Sequence, residues 1–244
     1  MKMSTELPNI VTILESKLEG TVFAHYLRLW ENVIFSLIII SILSIASYFV
    51  CRKQRLVPNR LQNIFEMFVG GIDDFVCGIL GAQGRKYTPF IGTLFIYIIF
   101  MNFFGLVPFM KSSTTSWSTT LALALCVFIY VQYSAIKENG IIGYIDHMMG
   151  KPRGFLAFTV AIPLLLLFLH IVGELIKPIS LSLRLRSNIW GDDILLSIMA
   201  GFGLKGIPML FFNTFLAIIA GTVQAVVFCL LSTIYFALVL AHED

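Results

Sequence analysis

The C-terminal part of the chain constrains the fold most strongly, because residues 207–241 contain no charged side chain. As a helix at about 1.5 Å per residue, this run of 35 residues would measure about 52 Å, whereas the hydrocarbon core of a bilayer is about 30 Å thick. No turn signal divides the run into two spans. We therefore expect one long helix that is tilted far beyond the usual average of about 20°.

Composition agrees with a membrane protein and excludes several other classes. Hydrophobic residues make up 58% of the chain and charged residues 13%. A soluble domain carries about 25% charged residues, so an ordinary soluble enzyme, a disordered chain and a nucleic-acid binder with a basic patch are all excluded. The four cysteines stand singly, without metal-ligand spacing. No metal, cofactor or disulfide framework is therefore expected.

Hydrophobic runs predict an all-α integral membrane protein with five transmembrane helices. Residues 1–28 are expected to form an N-terminal segment on the outer side, followed by a single transmembrane domain over 29–244. The predicted spans are residues 30–51, 89–109, 119–136, 155–199 and 207–241. The last two should form a long, strongly tilted hairpin around Gly201–Gly206, because both exceed the length of an upright span.

Two further patterns describe the loops. Over residues 59–80, apolar side chains recur every three or four positions while Glu66, Asp73 and Asp74 lie elsewhere, which is typical of an amphipathic helix on the membrane surface. With the N-terminus outside, the inner loops hold nine Lys and Arg residues and the outer segments five. This asymmetry predicts an outer N-terminus and an inner C-terminus.

Ionisable residues cluster inside the first helix of the predicted hairpin. At membrane depth each costs about 2.5–3.5 kcal/mol on insertion scales, so such groups usually face water or a partner. Lys177 and Arg186 have a simpler alternative, since they could snorkel or pair with Glu174 and Asp192. Residues spaced by three or four positions lie on the same face of a helix. One broad face of this helix therefore carries His170, Glu174, Lys177, Leu181, Arg184, Asn188 and Asp192.

Three sequence blocks resemble one family. PISLSLRLRSNIWGDD at 178–193 is similar to the signature of subunit a of the rotary F-type ATP synthase, whose usual form is PxSLxLRLFGN followed by a Gly and an acid. MNFFGLVP at 101–108, followed by TLALAL at 120–125, and GTVQAVVFCLLSTIY at 221–235 resemble the same family. The three blocks occur in the family's order, and the resemblance as a whole covers roughly residues 20 to 242.

The resemblance implies a membrane stator beside a ring of c subunits, with two aqueous half-channels that reach halfway across the membrane from opposite sides. It implies a proton, most simply, as the ion, and no catalytic activity in this chain alone. The implied partners are the c-ring, the b-subunit peripheral stalk, other ATP synthase subunits and membrane lipids, with no nucleic acid. The implied location is a bacterial inner membrane or, alternatively, the mitochondrial inner membrane.

Residue roles follow from the matched positions. Arg184 matches the family's essential arginine, which separates the half-channels and stays charged because guanidinium has a pKa above about 12. Asn188 matches a channel asparagine, and Asp193 the acid nine residues beyond the arginine. Gln224 matches the glutamine of the last helix and Asn102 the asparagine of the second span. Proton relay is also expected of His170, Glu174 and Asp192.

The chain departs from the family pattern at three places. Arg186 and Ser187 replace the usual Phe-Gly, but two helical residues rotate about 200°, so Arg186 should point away from the ring. His170 and Glu174 exchange the order found in many bacterial relatives, and Ala217 replaces a histidine of some relatives. A stand-alone ion transporter or permease component is the alternative function, although no internal repeat supports it.

Overall fold

The computed structural model describes residues 22–52, 60–107, 110, 112–148 and 156–240. Most of the predicted N-terminal segment (residues 1–21) and several loop charges, including Lys111, lie outside the described residues. Within the described ranges the chain forms six α-helices and no strand. They are α1 Val22–Cys51, α2 Arg60–Leu80, α3 Thr88–Phe104, α4 Trp117–Met148, α5 Leu156–Ala200 and α6 Ile207–Leu240. Helix α4 is broken at Gly140, whose φ of 68° and ψ of 165° are not helical, so its last turns fold back from the rest.

Four of these helices are long and apolar enough to cross a membrane, which makes the chain an all-α, multi-pass membrane protein. The apolar segments are Trp30–Phe49 of α1, Trp117–Glu138 of α4, Leu164–Ala200 of α5 and Ile207–Val239 of α6. Helix α3 is apolar but has only 17 residues. Helix α2, Arg60–Leu80, is polar on one side, as the pattern over 59–80 predicts.

Helix α3 ends five residues earlier than the predicted 89–109. Beyond Phe104 the chain turns at Gly105, where a Cβ would lie 2.7 Å from the Cβ of Ser112. Ser112 donates a hydrogen bond from Oγ to the carbonyl of Met101 at 3.0 Å. That bond satisfies a carbonyl of the last turn, which a helix end otherwise leaves without a partner. The hydrophobic sequence alone does not reveal this stop.

Helices α5 and α6 form the long hairpin. They have 45 and 34 residues, which correspond to about 67 and 51 Å, and they pack against each other. The turn between them contains a 3₁₀ helix, Gly203–Gly206, and Gly203 has a φ of 62°. Such a positive φ is readily adopted by glycine alone. Pro178 is buried within α5 without ending it.

The interior lies where α3, α4 and α6 meet α5. Tyr87, Tyr130 and Phe236 form an aromatic cluster there, with ring centroids 4.6 to 6.1 Å apart. Helix α2 is held at one end of this core, because Thr88 donates a hydrogen bond to Asp73 at 2.7 Å and Arg85 pairs with the same carboxylate. These two donors, led by Thr88, hold the pKa of Asp73 below its ordinary value.

Candidate functional site

Arg184 lies on α5 with its side chain exposed, although its neighbour Leu185 is fully buried. Among the described residues, the guanidinium forms neither a hydrogen bond nor an ion pair. Tyr235 of α6 is close enough to interact electrostatically with both Arg184 and Glu174. An arginine on the surface of an apolar helix therefore presents its five donors outward, away from the rest of this chain.

One turn beyond the arginine, α5 and α6 are joined by an amide pair. Asn188 donates a hydrogen bond from Nδ2 to Oε1 of Gln224 at 2.7 Å. The Gln224 side chain is only 3% exposed, and its Nε2 is buried without a hydrogen-bond partner among the described residues. The structure thus brings Asn188 and Gln224 together from two different helices, one turn from Arg184.

Asn102 connects α3 to α6 one turn away from Gln224. Its Nδ2 donates to the carbonyl of Gly221 at 3.0 Å, and its Oδ1 accepts a hydrogen bond from Thr114 at 3.3 Å. A Cβ at Gly221 would lie 3.2 Å from the Cβ of Asn102. Glycine at this position therefore allows α3 and α6 to approach closely enough for the Asn102 hydrogen bond.

A polar turn between α3 and α4 contacts three helices. We call residues 112–116 the hydroxyl turn, because all five carry a side-chain hydroxyl. Thr115 donates to Oδ2 of Asp193 at 2.8 Å, and its carbonyl accepts a hydrogen bond from Nε of Arg186 at 3.3 Å. The Arg186 guanidinium also lies 5.3 Å from the ring centroid of Trp117. The Arg186 side chain is therefore directed towards the protein, on a different side of α5 from the exposed Arg184.

The two adjacent acids of α5 have different surroundings. Asp193 bonds to the hydroxyl turn, whereas Asp192 is half-buried and has no hydrogen bond or ion pair with the described residues. The alternative pairing of Arg186 with Asp192 is therefore wrong: Arg186 reaches a backbone carbonyl and an indole ring instead.

A second polar cluster lies about three turns from Arg184, towards the start of α5. Glu174 forms an ion pair with Lys177 and accepts a hydrogen bond from Nε2 of Gln132 at 2.9 Å. Tyr144 donates to Oε1 of the same glutamine at 2.5 Å. The predicted alternative for Lys177, pairing with Glu174, is thus found in the structure. The pair is half-buried beside the ring of Tyr235, which lies 5.4 Å from Nζ of Lys177.

The predicted common face of α5 is only partly continuous. Leu181 is buried, Glu174 and Lys177 are half-buried, and His170, Arg184 and Asn188 are exposed. The reason is that Arg184 lies about 60° from Leu181 around the helix at about 100° per residue, so the stripe crosses the edge of the packed surface. His170 has Nδ1 3.0 Å from the carbonyl of Leu166, within its own helix.

Sequence reasoning missed the side chains that surround these residues. Gln132 of α4 and Thr114 and Thr115 of the hydroxyl turn bond directly to predicted site residues, and Tyr144 bonds to Gln132. A glutamine inside the apolar stretch of α4 was a usable signal, since buried amides need partners. The hydroxyl turn gave a weaker signal, because serine and threonine are also common in ordinary loops.

Comparison with known proteins identifies the family. The family described as ATP synthase A chain matches residues 33–237. ATP synthase subunit a of Protochlamydia amoebophila (strain UWE25) is 39% identical, over 98% of this chain and 90% of that protein. ATP synthase subunit a of Solidesulfovibrio magneticus is also 39% identical, over 87% of this chain and 85% of that protein. The chain therefore belongs to the ATP synthase A chain family.

Proposed function

We propose that this chain is the ion-translocating stator of a rotary F-type ATP synthase and that the ion is a proton. The observation that carries the proposal is the position of Arg184, a permanently charged group exposed on an apolar helix and without a partner within the described chain. Such a charge is expensive in lipid. A carboxylate that passes on a neighbouring c-ring would supply the missing partner.

The physical step at Arg184 is a change in the preferred charge of that ring carboxylate. Near a fixed guanidinium the charged form is favoured, so the carboxyl group releases its proton; in lipid, desolvation favours the neutral acid. Arg184 cannot itself lose its proton, because guanidinium remains charged at all relevant pH values. It therefore blocks direct proton passage between the two half-channels while it discharges each carboxylate in turn.

The polar clusters on either side of Arg184 are our candidates for the two half-channels. Asn188, Gln224, Asn102, Asp192 and Asp193 lie level with Arg184 or towards the hydroxyl turn, and we assign them to the outer half-channel. His170 and Glu174 lie towards the start of α5, and we assign them to the inner one. Support comes from the hydrogen bonds that link these residues across α3, α4, α5 and α6.

The remaining assignments follow from family membership and from the helix lengths. Residues 29–244 would form one transmembrane domain with five crossings, in which the 17-residue α3 is the short span and the N-terminus is outside. The two helices of the long hairpin would lie tilted along the c-ring. The b subunit, other ATP synthase subunits and lipids would be the further partners. ATP chemistry would belong to other subunits, and the location would be a bacterial inner membrane.

The test uses the complete ATP synthase in sealed vesicles. ATP hydrolysis should acidify the vesicle interior with and without sodium, and Arg184→Ala should abolish this acidification and ATP synthesis while the complex still assembles. The Arg184→Ala complex should also conduct protons passively. Acidification that required sodium would overturn the choice of ion, and full coupling in the Arg184→Ala complex would overturn the proposed mechanism.

A further inference from the structure

The hydroxyl turn bonds a different helix through each of three consecutive side chains. Ser113 donates from Oγ to the carbonyl of Asn32 in α1 at 2.7 Å. Thr114 donates to Asn102 of α3 at 3.3 Å, and Thr115 donates to Asp193 of α5 at 2.8 Å. Ser113 and Thr114 have no exposed surface. This buried turn therefore links α1 to the acid at position 193, although α1 contributes no residue to the site described above.

The residue of α1 that precedes Asn32 is a buried carboxylate. Glu31 is 9% exposed and lies on the same face as Phe35 and Ile39, which pack into the protein. The ring of Phe35 lies edge-on to that of Phe104, the last residue of α3, with centroids 6.3 Å apart. Glu31 is one turn further along α1 on the N-terminal side, which places it beyond the end of α3, at the level of the hydroxyl turn.

A second observation at the same place indicates bound water. Oδ1 of Asn32 is buried and has no hydrogen-bond partner among the described residues. Buried polar atoms without a protein partner are usually satisfied by ordered water. A water at Asn32 would lie beside the Glu31 backbone and beside Ser113, within the polar region that leads to Asp193.

We propose that Glu31 is a proton-binding residue at the outer mouth of the half-channel, a role that rests on the stator function proposed above. The Glu31 carboxylate takes a proton from outer water and becomes a neutral acid. It then releases that proton through bound water and the hydroxyl turn to Asp193, and its carboxylate is restored. The first helix thereby supplies a titratable group at the channel.

The test measures ATP synthesis driven by an imposed proton gradient in vesicles that contain the complete complex. Glu31→Gln keeps the shape and polarity of the side chain but cannot exchange a proton. We expect the rate of ATP synthesis to fall about tenfold. Loss of a positioned acid or base typically costs about 10²–10⁴-fold, but here water also reaches the outer mouth of the half-channel and can deliver protons without Glu31. Glu66→Gln is the matched control, since Glu66 is exposed on α2 and accepts a hydrogen bond from Gln62 one turn away in the same helix; it should leave the rate unchanged.

A structural role is separated from proton binding by the dependence of the rate on outer proton concentration. Glu31→Gln should raise the proton concentration that gives half the maximal rate, while the maximal rate changes less. Helix α3 and the hydroxyl turn pack against α1, and their ionisable residue is Tyr97, which is bonded to Ser36. Tyr97, and Asp193 and Arg186 at the hydroxyl turn, are the same in every variant, so a shift that appears in Glu31→Gln reports Glu31.

Two further variants make every outcome informative. Glu31→Asp keeps a carboxylate and should retain more activity than Glu31→Gln at equal amounts of assembled complex, which supports the proposal even if Glu31→Gln assembles poorly. Equal losses in both variants, or an unchanged proton dependence in Glu31→Gln, would overturn it. Arg184→Ala serves as the reference: if it is inactive while Glu31→Gln behaves as the wild type, the stator function stands and the role of Glu31 is refuted.

Discussion

Nδ2 of Asn188 lies 2.7 Å from Oε1 of Gln224, and this hydrogen bond joins the two helices of the long hairpin one turn from Arg184. The bond uses the oxygen of Gln224 and leaves its buried Nε2 without a partner in the described residues. A buried donor without a partner is costly, so it indicates a nearby group that is supplied by water or by another subunit. The amide pair is therefore suited to position the surroundings of the arginine.

Replacement of Gln224 by leucine removes that pair while it retains much of the side-chain volume. We expect ATP synthesis to fall about two- to tenfold, which corresponds to the loss of about 0.5–1.5 kcal/mol from one hydrogen bond. Passive proton conductance should stay low because Arg184 is still present. Thr222→Val is the control, since the hydroxyl of Thr222 donates to the carbonyl of Ile218 within its own helix. A fully active Gln224→Leu complex would contradict a positioning role.

Gly221→Ala should disturb the contact between α3 and α6. The new methyl group would lie 3.2 Å from the Cβ of Asn102, and overpacking of this kind costs about 1–3 kcal/mol. Gly173→Ala is the matched control, because a Cβ there meets nothing within 4 Å, and alanine in a helix is favoured over glycine by about 0.5–1 kcal/mol. The temperature at which the purified complex dissociates is measured for both variants, and we expect it to be lower for Gly221→Ala than for Gly173→Ala. Equal dissociation temperatures for the two variants would show that the close approach does not matter.

His170 and Glu174 lie one turn apart on α5, so their exchange keeps an imidazole and a carboxyl group in the same region. We expect the exchanged double variant to retain more ATP-driven pumping than either His170→Ala or Glu174→Ala. Loss of Glu174 should be the more severe change, because the half-buried Lys177 and Gln132 both lose their carboxylate partner. Pumping assays on vesicles with equal amounts of complex give the comparison. Full activity in both alanine variants would remove the pair from the proton path.

Thr88→Val should weaken the attachment of α2 at low pH. Thr88 is the main cause of the lowered pKa of Asp73, so the variant should raise that pKa towards its ordinary value. Because the pKa of Asp73 is lower in the folded than in the unfolded state, its carboxylate stabilises the folded state at pH values above the unfolded-state pKa. This stabilisation is lost as the pH falls through the folded-state pKa. As the pH is lowered, α2 should therefore begin to separate from the start of α3 at a higher pH in Thr88→Val than in the wild type. Infrared titration of the carboxylate checks this, with Thr93→Val, whose hydroxyl bonds to Phe90, as control.

Helix lengths could be predicted from the sequence because they depend on long-range hydrophobicity. The charge-free run 207–241 corresponds to α6, Ile207–Leu240, and the predicted 155–199 to α5, Leu156–Ala200. The end of α3 could not be predicted, because it depends on the contact of Gly105 and Met101 with Ser112. Local helix boundaries of this kind are set by tertiary contacts that a hydropathy pattern does not contain.

The same distinction applies to the candidate site. The direction of Arg186 follows from the helical repeat, and the structure places it against Thr115 and Trp117. The partners of Glu174 and Asp193 lie 42 and 78 residues away in the chain. Periodicity relates residues within one helix only, so Gln132 and Thr115 could not be assigned to these acids before the helices were packed.

Arg184→Lys separates charge from geometry. Lysine keeps a positive charge, but its ammonium is a compact group on a flexible stem and loses its proton more readily when desolvated. A guanidinium can meet a passing carboxylate with two parallel hydrogen bonds, which an ammonium cannot do. We therefore expect Arg184→Lys to abolish gradient-driven ATP synthesis while the complex assembles and passive conductance stays below that of Arg184→Ala. Arg186→Ala, on the side of α5 that contacts Trp117, should retain most coupled activity. If Arg186 proved indispensable and Arg184 replaceable, the arginine that faces the ring would have been misassigned, and the mechanism proposed for it would fail.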